Sequence, residues 1–130
     1  MSEAEGLAYL LDTDCGIYLL TGRWPALRAR VAAQPAGSVG ISAISLAEIA
    51  VKYGVDAYLA PELAGFLEEI VLQPFDEAAA KAYGTLPFRR GSFDRLIAGH
   101  ALSLNVALVT NNERDFKDIP RLRTENWTGP

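Results

Sequence analysis

The sequence is poor in the residue types from which zinc and thiol sites are built. Its 130 residues include one cysteine, Cys15, and one histidine, His100. An intrachain disulfide is therefore impossible, and zinc sites that combine several cysteines and histidines are disfavoured. A reducing compartment such as the cytoplasm is the expected location. We interpret Cys15 as a small buried residue, not a nucleophile, and His100 as packed or partly exposed on its helix, not a ligand.

Long hydrophobic runs are also missing. No stretch approaches the ~20 apolar residues needed to cross a bilayer. The first six residues contain Glu3 and Glu5 but no basic residue, so a signal peptide is not predicted. Hydrophobic residues make up 50% of the chain and charged residues 22%, which is an ordinary globular composition. We expect one domain over residues 1–130, with 1–6 as a flexible acidic lead-in.

An excess of positive charge, the usual mark of a nucleic-acid-binding protein, is absent as well. Twelve basic and sixteen acidic residues give a net charge of −4. The chain as a whole therefore has no broad attraction for a polyanion. If the protein acts on nucleic acid, a bound divalent cation would offset the negative charge where the two meet.

Short apolar runs alternate with helical patterns along the chain. A strand over 71–75 would lie at a sheet edge, because Pro74 cannot donate to a ladder, and Trp127 would close the core. The alternation predicts an α/β fold with a mainly parallel sheet and right-handed crossovers. Strands are predicted at 7–11, 38–42, 71–75, 106–109 and 121–125, helices at 15–20, 25–33, 45–53, 61–70, 76–83 and 93–104, and a short helical turn within 111–120.

Four carboxylates fall at or near the ends of these elements. Asp12 follows the first strand, Glu48 lies in the first turn of the helix predicted to begin at Ser45, Asp94 lies in the first turn of the helix over 93–104, and Asp115 follows the last buried strand. In a parallel sheet, sites form beyond the carboxyl ends of the strands. Gathered there, the four acids would repel one another, and Mg²⁺ or Mn²⁺, which prefer oxygen ligands, would relieve the repulsion. Without these four, the chain would hold twelve acidic and twelve basic residues.

Each acid also has a purely structural interpretation. Asp12 fits an Asx turn, and Ser45 with Glu48 fits the capping box Ser-x-x-Glu. Asp94 fits the positive end of its helix, and Asp115 fits an ordinary surface acid. The metal hypothesis therefore depends on the convergence of all four.

Polar and basic side chains are predicted around the acids. Neutral hydrogen-bonding groups follow the last buried strand, at Thr110, Asn111 and Asn112. A basic cluster near Asp94 would hold phosphates of a polyanionic substrate, or else is only a solvated loop; it consists of Arg89, Arg90 and Arg95.

Five blocks, in order along essentially the whole chain, resemble the PIN-domain ribonuclease toxins of the VapC type: LLDTD at 10–14, ISLAEI at 44–49, GSFDRLIAGHA at 91–101, VTNNERDF at 109–116 and LRTENW at 122–127. The third and fourth blocks are the most specific. The resemblance implies a PIN-like three-layer α/β/α fold with a central, mainly parallel sheet of about four or five strands. It also implies a Mg²⁺- or Mn²⁺-dependent endoribonuclease that cuts structured RNA, often tRNA.

The same resemblance implies partners. The chain would be the toxin of a toxin–antitoxin pair, usually a homodimer. A VapB-like antitoxin would occlude the cleft with its C-terminal segment, and toxin and antitoxin would form a hetero-oligomer.

By position, Asp12, Glu48, Asp94 and Asp115 match the family's acidic quartet, so they are the implied catalytic and metal-binding residues. Thr110 and Asn112 match polar positions near the metal. Asp14 stands where the family often has Asn, and it ranks below the four; from the residues alone, it would solvate or cap the next helix.

The chain departs from the family pattern in two places. The segment between Tyr83 and Asp94 is shorter than in close relatives, which affects the substrate-facing wall and leaves a more open cleft. At Asp115 the family often has Glu, and the shorter side chain would ligate through water.

Two other functions remain open at this point. The run Leu11-Asp12-Thr13-Asp14 fits a phosphatase of the haloacid-dehalogenase type, in which Asp12 would be the nucleophile. That chemistry also needs a suitably placed lysine, and no lysine has a convincing position. Alternatively, the protein would serve mainly as a structural or regulatory partner in an antitoxin–DNA complex.

Overall fold

The predicted alternation of strands and helices is confirmed in a computed structural model, which describes residues 6–58, 61–87 and 92–129. The elements follow in the order β1 (Tyr9–Leu11), α1 (Thr13–Thr21), α2 (Pro25–Ala32), β2 (Val39–Ser42), α3 (Ala43–Tyr58), α4 (Pro61–Glu69), β3 (Val71–Gln73), α5 (Glu77–Gly84), α6 (Phe93–Leu104), β4 (Ala107–Val109), a 3₁₀ helix (Glu113–Phe116) and β5 (Thr124–Glu125).

The five strands form one parallel sheet in the order β3-β2-β1-β4-β5. From the central β1 the chain moves outward to β2 and β3, then returns to β4 on the other side of β1. This reversal makes the gap beyond the carboxyl ends of β1 and β4 the switch point at which α/β folds bind ligands. Leu11 pairs with Val109 at that end, so the residues that follow β1 and β4 are neighbours.

Helices cover both faces of the sheet. Leu10 and Leu11, both fully buried, point to opposite faces because side chains alternate along a strand. Leu11 packs in a cluster with Cys15 of α1 and Leu27 of α2. Leu10 packs in a second cluster with residues of α6. Burial of each leucine stabilises the fold by roughly 1.5–3 kcal/mol.

The contact between α5 and α6 depends on a glycine. A Cβ atom at Gly99 would lie 2.8 Å from both the Cα and the backbone nitrogen of Tyr83. The two helices therefore approach closely at this position, which holds α6 against its neighbour.

The ends of several elements differ from the prediction. β1 begins at Tyr9, two residues later than predicted, and β5 is confined to Thr124–Glu125. β3 lies at the sheet edge as predicted but ends at Gln73, because Pro74 cannot extend the ladder. Helix α3 begins at Ala43, and its helical backbone is interrupted at Gly54, at a φ of 82°, where the predicted helix ends.

The burial predicted for Cys15 and Trp127 is confirmed, and of the two placements left open for His100 the structure shows the packed one. Cys15 and His100 are buried, and Trp127 packs edge-on against the Tyr9 ring at 4.7 Å. His100 Nδ1 lies 2.8 Å from Ser42 Oγ, and burial lowers its pKa. Within the described ranges, no helix is long and apolar enough to cross a membrane.

Candidate active site

Asp12 lies at the switch point, directly after β1. Its backbone nitrogen donates to Val109 O at 2.9 Å. Its carboxylate caps α1 by accepting from Cys15 N at 2.8 Å and also accepts from the Thr110 hydroxyl. The pKa of Asp12 is raised to about 6, chiefly by burial. The charge of Asp14 also raises it, whereas the hydrogen bonds from Thr110 and Cys15 lower it. The Asx-type turn predicted for Asp12 is thus present, and the carboxylate also faces other acids.

A chain of hydrogen bonds connects Asp12 to Asp115. The backbone nitrogen of Asn112 donates to Thr110 Oγ1 at 3.0 Å, which leaves the hydroxyl proton of Thr110 for Asp12. The Asn112 side-chain amide donates to Asp115 Oδ2 at 2.5 Å. Thr110 is fully buried, whereas Asn112 and Asp115 are exposed. The polar residues predicted near the acids therefore orient two of them.

Glu48 is held by a residue that the sequence did not single out. The Thr13 hydroxyl donates to Glu48 Oε1 at 2.6 Å and shares a 2.9 Å hydrogen bond with the buried Ser45 hydroxyl. The predicted capping box of Ser45 and Glu48 was wrong: α3 begins at Ala43, which places Glu48 in its second turn. The position of Thr13, directly after the strand-end Asp12, was the available signal.

The acids of α1, α3, α6 and the 3₁₀ helix influence one another electrostatically. Partial burial raises the pKa of Glu48, and the charges of Asp94 and Asp14 raise it further. Partial burial likewise raises the pKa of Asp94, to which the charges of Asp14 and Asp115 add. Asp94 and Asp14 both lie in first helical turns. Through Asp14, these charge interactions link the four predicted acids into one electrostatic group.

Asp14 occupies a more central place in this group than its sequence ranking suggested. It does not cap α1, because Asp12 does. Its charge raises the pKa of Asp12, Glu48 and Asp94. The charge of Asp115, by contrast, is a cause of the raised pKa of Asp94 only. Asp14 therefore belongs with the main acids, and we call the five the acidic crevice: Asp12, Asp14, Glu48, Asp94 and Asp115.

Of the predicted basic cluster, the structure describes only Arg95. Arg95 Nη2 donates to Asp118 Oδ1 at 2.9 Å and to the backbone oxygen of Asp115 at 3.4 Å. Its side chain is 15% exposed, so Arg95 braces the loop that carries Asp115. Arg89 and Arg90 lie outside the described residues.

The donor chemistry of the acidic crevice fits a hard divalent cation, because all the ligand atoms are oxygens. Within residues 6–58, 61–87 and 92–129, no three acidic, histidine or cysteine side chains are gathered tightly enough to enclose an ion. Mg²⁺ does not need such a cage, since it keeps several waters and is held through one or two carboxylates. The crevice is thus open, with carboxylates available directly or through water.

Cys15 offers no alternative chemistry at this place. Burial raises the pKa of its thiol, and the neighbouring charges of Asp12 and Asp14 raise it further. Because the thiolate is the reactive form, Cys15 is a packing residue.

Two pockets have walls that are formed partly by α1. A groove of about 890 Å³ is lined by α1, α2 and α4 and contains none of the crevice acids. A smaller pocket of about 340 Å³ is lined by Asp14 and Glu48 together with residues of α1, α3 and α6. Only the smaller of these two pockets adjoins the acidic crevice.

Comparison with known proteins gives the family. A model of the PIN domain matches residues 9–122. The chain is 33% identical to the tRNA(fMet)-specific endonuclease VapC of Shigella flexneri, over 94% of this chain and 99% of that protein. It is 32% identical to ribonuclease VapC2 of Haemophilus influenzae, over 93% and 98% of the two chains.

Solved structures give the same result. The chain superposes on DNA-bound VapBC of Salmonella typhimurium with a TM-score of 0.76 and 30% identity, over 93% of this chain and 98% of that one. It superposes on VapBC2 of Rickettsia felis bound to a promoter DNA fragment with a TM-score of 0.75 and 29% identity, over 93% and 99%. The chain therefore belongs to the PIN-domain family, as a homologue of its VapC-type ribonuclease toxins.

Proposed function

We propose that the chain is a Mg²⁺- or Mn²⁺-dependent endoribonuclease that acts as the toxin of a toxin–antitoxin pair. The acidic crevice is the observation that carries this proposal. Burial and mutual repulsion raise the pKa of Asp12, Glu48 and Asp94. Carboxylates whose surroundings disfavour the ionised form destabilise a fold, and such groups are typical of functional sites.

The crevice residues have distinct tasks in this proposal. Asp12, Glu48, Asp94 and Asp115 would hold the ion, with Asp14 beside them. A bound Mg²⁺ or Mn²⁺ would supply the positive charge that neutralises a phosphodiester and activates water for its hydrolysis. The chain's own hydrogen bonds keep the ligands oriented: Thr110 and Cys15 N hold Asp12, Thr13 holds Glu48, and Asn112 holds Asp115.

Structured RNA, most simply tRNA, is the proposed substrate. The name of the Shigella flexneri relative specifies a tRNA. The net charge of −4 gives this chain no general affinity for RNA. Binding would therefore depend on the metal and on local contacts, which predicts that RNA affinity falls when the metal is removed.

A VapB-like antitoxin is the proposed partner, because the structural neighbours are VapBC assemblies. A homodimer of the toxin within a toxin–antitoxin hetero-oligomer is the proposed assembly, located in the cytoplasm. If a small reading frame beside the gene encodes this antitoxin, its co-expression should yield a stable complex in which RNA cleavage is suppressed. A partner that leaves cleavage unchanged would contradict this assignment.

A regulatory role in an antitoxin–DNA complex is a second candidate, since both structural neighbours described above were solved with DNA. The two roles are separable. Asp12→Asn should abolish cleavage and leave operator binding by the toxin–antitoxin complex unchanged. The phosphatase alternative loses its support, because the family is that of the PIN domain.

The cleavage test uses the purified chain, bulk tRNA and Mn²⁺, with the cut ends mapped by sequencing. Wild-type protein should cut at defined positions, and EDTA should stop the reaction. Asp12→Asn should reduce cutting to background. Asp76→Asn is the matched control, because Asp76 also caps a helix, by accepting from Ala79 N at 3.0 Å, but belongs to α5 and not to the crevice. Undiminished cutting by Asp12→Asn would reject the proposed chemistry.

A further inference from the structure

The smaller pocket beside the acidic crevice has a composition that suits part of an RNA substrate. It has a volume of about 340 Å³ and shares Asp14 and Glu48 with the crevice. Its other walls include Ile17 of α1, Val51 of α3 and Phe93 of α6. Pockets for small ligands start at roughly 300 Å³, so this one has room for a single nucleoside. A ligand in this pocket would therefore lie beside Asp14 and Glu48 of the crevice.

Two large apolar side chains of this pocket are left open to water. Phe93 is 53% exposed and Val51 is 87% exposed. Phe93 is not needed to cap α6, since Ser92 does so by accepting from Arg95 N. An exposed aromatic ring next to an apolar wall offers a stacking surface for a flat, apolar ring such as a nucleobase.

A cation lies at the same pocket. Lys52 contributes to its lining, and its Nζ lies 5.6 Å from the centroid of the Tyr53 ring. In the part of the chain that the structure describes, no carboxylate lies within ion-pair distance of Lys52. Arg95, in contrast, is occupied by Asp118. Lys52 is therefore placed to meet a phosphate that flanks the crevice.

From this combination we propose that the pocket is a nucleoside subsite, in which an unpaired base next to the cleaved phosphodiester stacks on Phe93 and Lys52 contacts the neighbouring phosphate. The inference rests on the proposed ribonuclease function and specifies its substrate. A base inside a duplex has both faces stacked and cannot lie on Phe93. The subsite therefore selects cleavage positions that have an unpaired nucleotide on this side.

Catalysis gives the first test, with RNA that contains the mapped cut site. Phe93→Ala and Phe93→Leu should both lower kcat/KM by about tenfold or more, mainly through KM, because stacking on an aromatic ring is lost. Phe93→Trp should retain wild-type kcat/KM. Leu72→Ala is the control, since Leu72 is an exposed apolar residue of the edge strand β3. A Phe93→Leu enzyme with wild-type kcat/KM would overturn the stacking role, because leucine keeps the apolar volume but not the ring.

Binding without cleavage gives the second test and separates this inference from the ribonuclease proposal. With the wild-type chain and Mn²⁺, a single-stranded oligonucleotide that has a non-hydrolysable linkage at the cut position and 2-aminopurine beside it should lose fluorescence on binding. The loss should persist with Phe93→Trp and disappear with Phe93→Leu. Lys52→Gln should reduce the slope of log affinity against log salt by about 0.7, the value for one single-strand phosphate.

The remaining outcomes are equally decisive. The subsite is overturned, while the ribonuclease proposal stands, if quenching is equal with and without the Phe93→Leu substitution. Equal cutting of paired and unpaired RNA would have the same consequence. If light scattering shows that Phe93→Leu converts a dimer into a monomer, the exposed side chains belong to an interface between copies and the inference fails. If the wild-type protein cuts no RNA with Mn²⁺, both proposals fail together.

Discussion

The hydroxyl of Thr13 donates a 2.6 Å hydrogen bond to Oε1 of Glu48, which joins two residues 35 positions apart in sequence. The bond connects the first turn of α1 to the second turn of α3, and it fixes a carboxylate that would otherwise turn away from neighbouring acids. Orientation of Glu48 is thus a property of the tertiary structure and not of its own helix.

Replacement of Thr13 tests the importance of that bond. Thr13→Val keeps the side-chain shape but removes the donor to Glu48 and leaves the buried Ser45 hydroxyl without its partner. We expect Mn²⁺ affinity and RNA cleavage to fall by about 10–100-fold, the usual effect when a ligand loses the group that orients it. Thr13→Ser keeps the hydroxyl and should stay within a few-fold of wild type. Wild-type Mn²⁺ affinity in Thr13→Val would contradict this role.

Asp12 should make the stability of the metal-free protein depend on pH. Its pKa is about 6 in the folded chain against an ordinary value of 3.8, so the folded state binds the proton more tightly. This tighter proton binding raises the free energy of unfolding by up to about 3 kcal/mol. The gain is fully present below about pH 4 and is lost as the pH rises through 6.

Chemical denaturation in EDTA, from pH 4 to pH 8, measures this effect. Asn at position 12 can still cap α1 but does not titrate. The free energy of unfolding of Asp12→Asn relative to wild type should therefore increase across the window from pH 4 to pH 7. A difference that does not change with pH would show that the Asp12 carboxyl is not destabilised by burial.

Gly99 should be intolerant of a larger side chain. Alanine there would place Cβ 2.8 Å from the Tyr83 backbone, which cannot move without displacing α5. We expect Gly99→Ala to lower the free energy of unfolding by about 1–3 kcal/mol. Gly65→Ala in α4 is the matched control, because nothing lies within 4 Å of its Cβ; it should be neutral or stabilise by up to about 1 kcal/mol. Equal effects of the two changes would show that α5 and α6 do not approach closely.

Arg95 should behave as a structural residue in RNA binding. Its guanidinium is held by Asp118 and by the backbone oxygen of Asp115. Arg95→Gln should therefore leave the salt dependence of RNA affinity at its wild-type slope, even if cleavage falls because the Asp115 loop is loosened. A slope reduced as much as that of Lys52→Gln would restore Arg95 as a phosphate contact.

The sheet and the ends of its strands were predictable because local patterns encode them. An apolar run followed by a polar residue indicates the end of a strand, which places Asp12 after β1 and Thr110 after β4. The rule for parallel sheets predicted that the acids gather beyond the strand ends, and the family resemblance then matched them to an acidic quartet. Strand lengths were less predictable, because the partner strand decides where pairing stops.

The errors concern side chains whose partners are distant in sequence. The Ser-x-x-Glu spacing indicated a capping box, but Ser45 and Glu48 both face Thr13, more than 30 residues away. Asp14 was ranked low because the family often has Asn at its position, and the local sequence does not show that Glu48 of α3 and Asp94 of α6 lie near it. Arg95 was predicted to meet phosphate because the sequence does not show that Asp118 lies beside it.

Calorimetric titration of the purified, partner-free chain with Mn²⁺ tests the central claim most directly, with Asp12→Asn and Asp76→Asn titrated under the same conditions. We expect saturable Mn²⁺ binding by wild type and Asp76→Asn, and loss of that binding in Asp12→Asn. Absence of Mn²⁺ binding by the folded wild-type chain, or unchanged binding by Asp12→Asn, would contradict the claim.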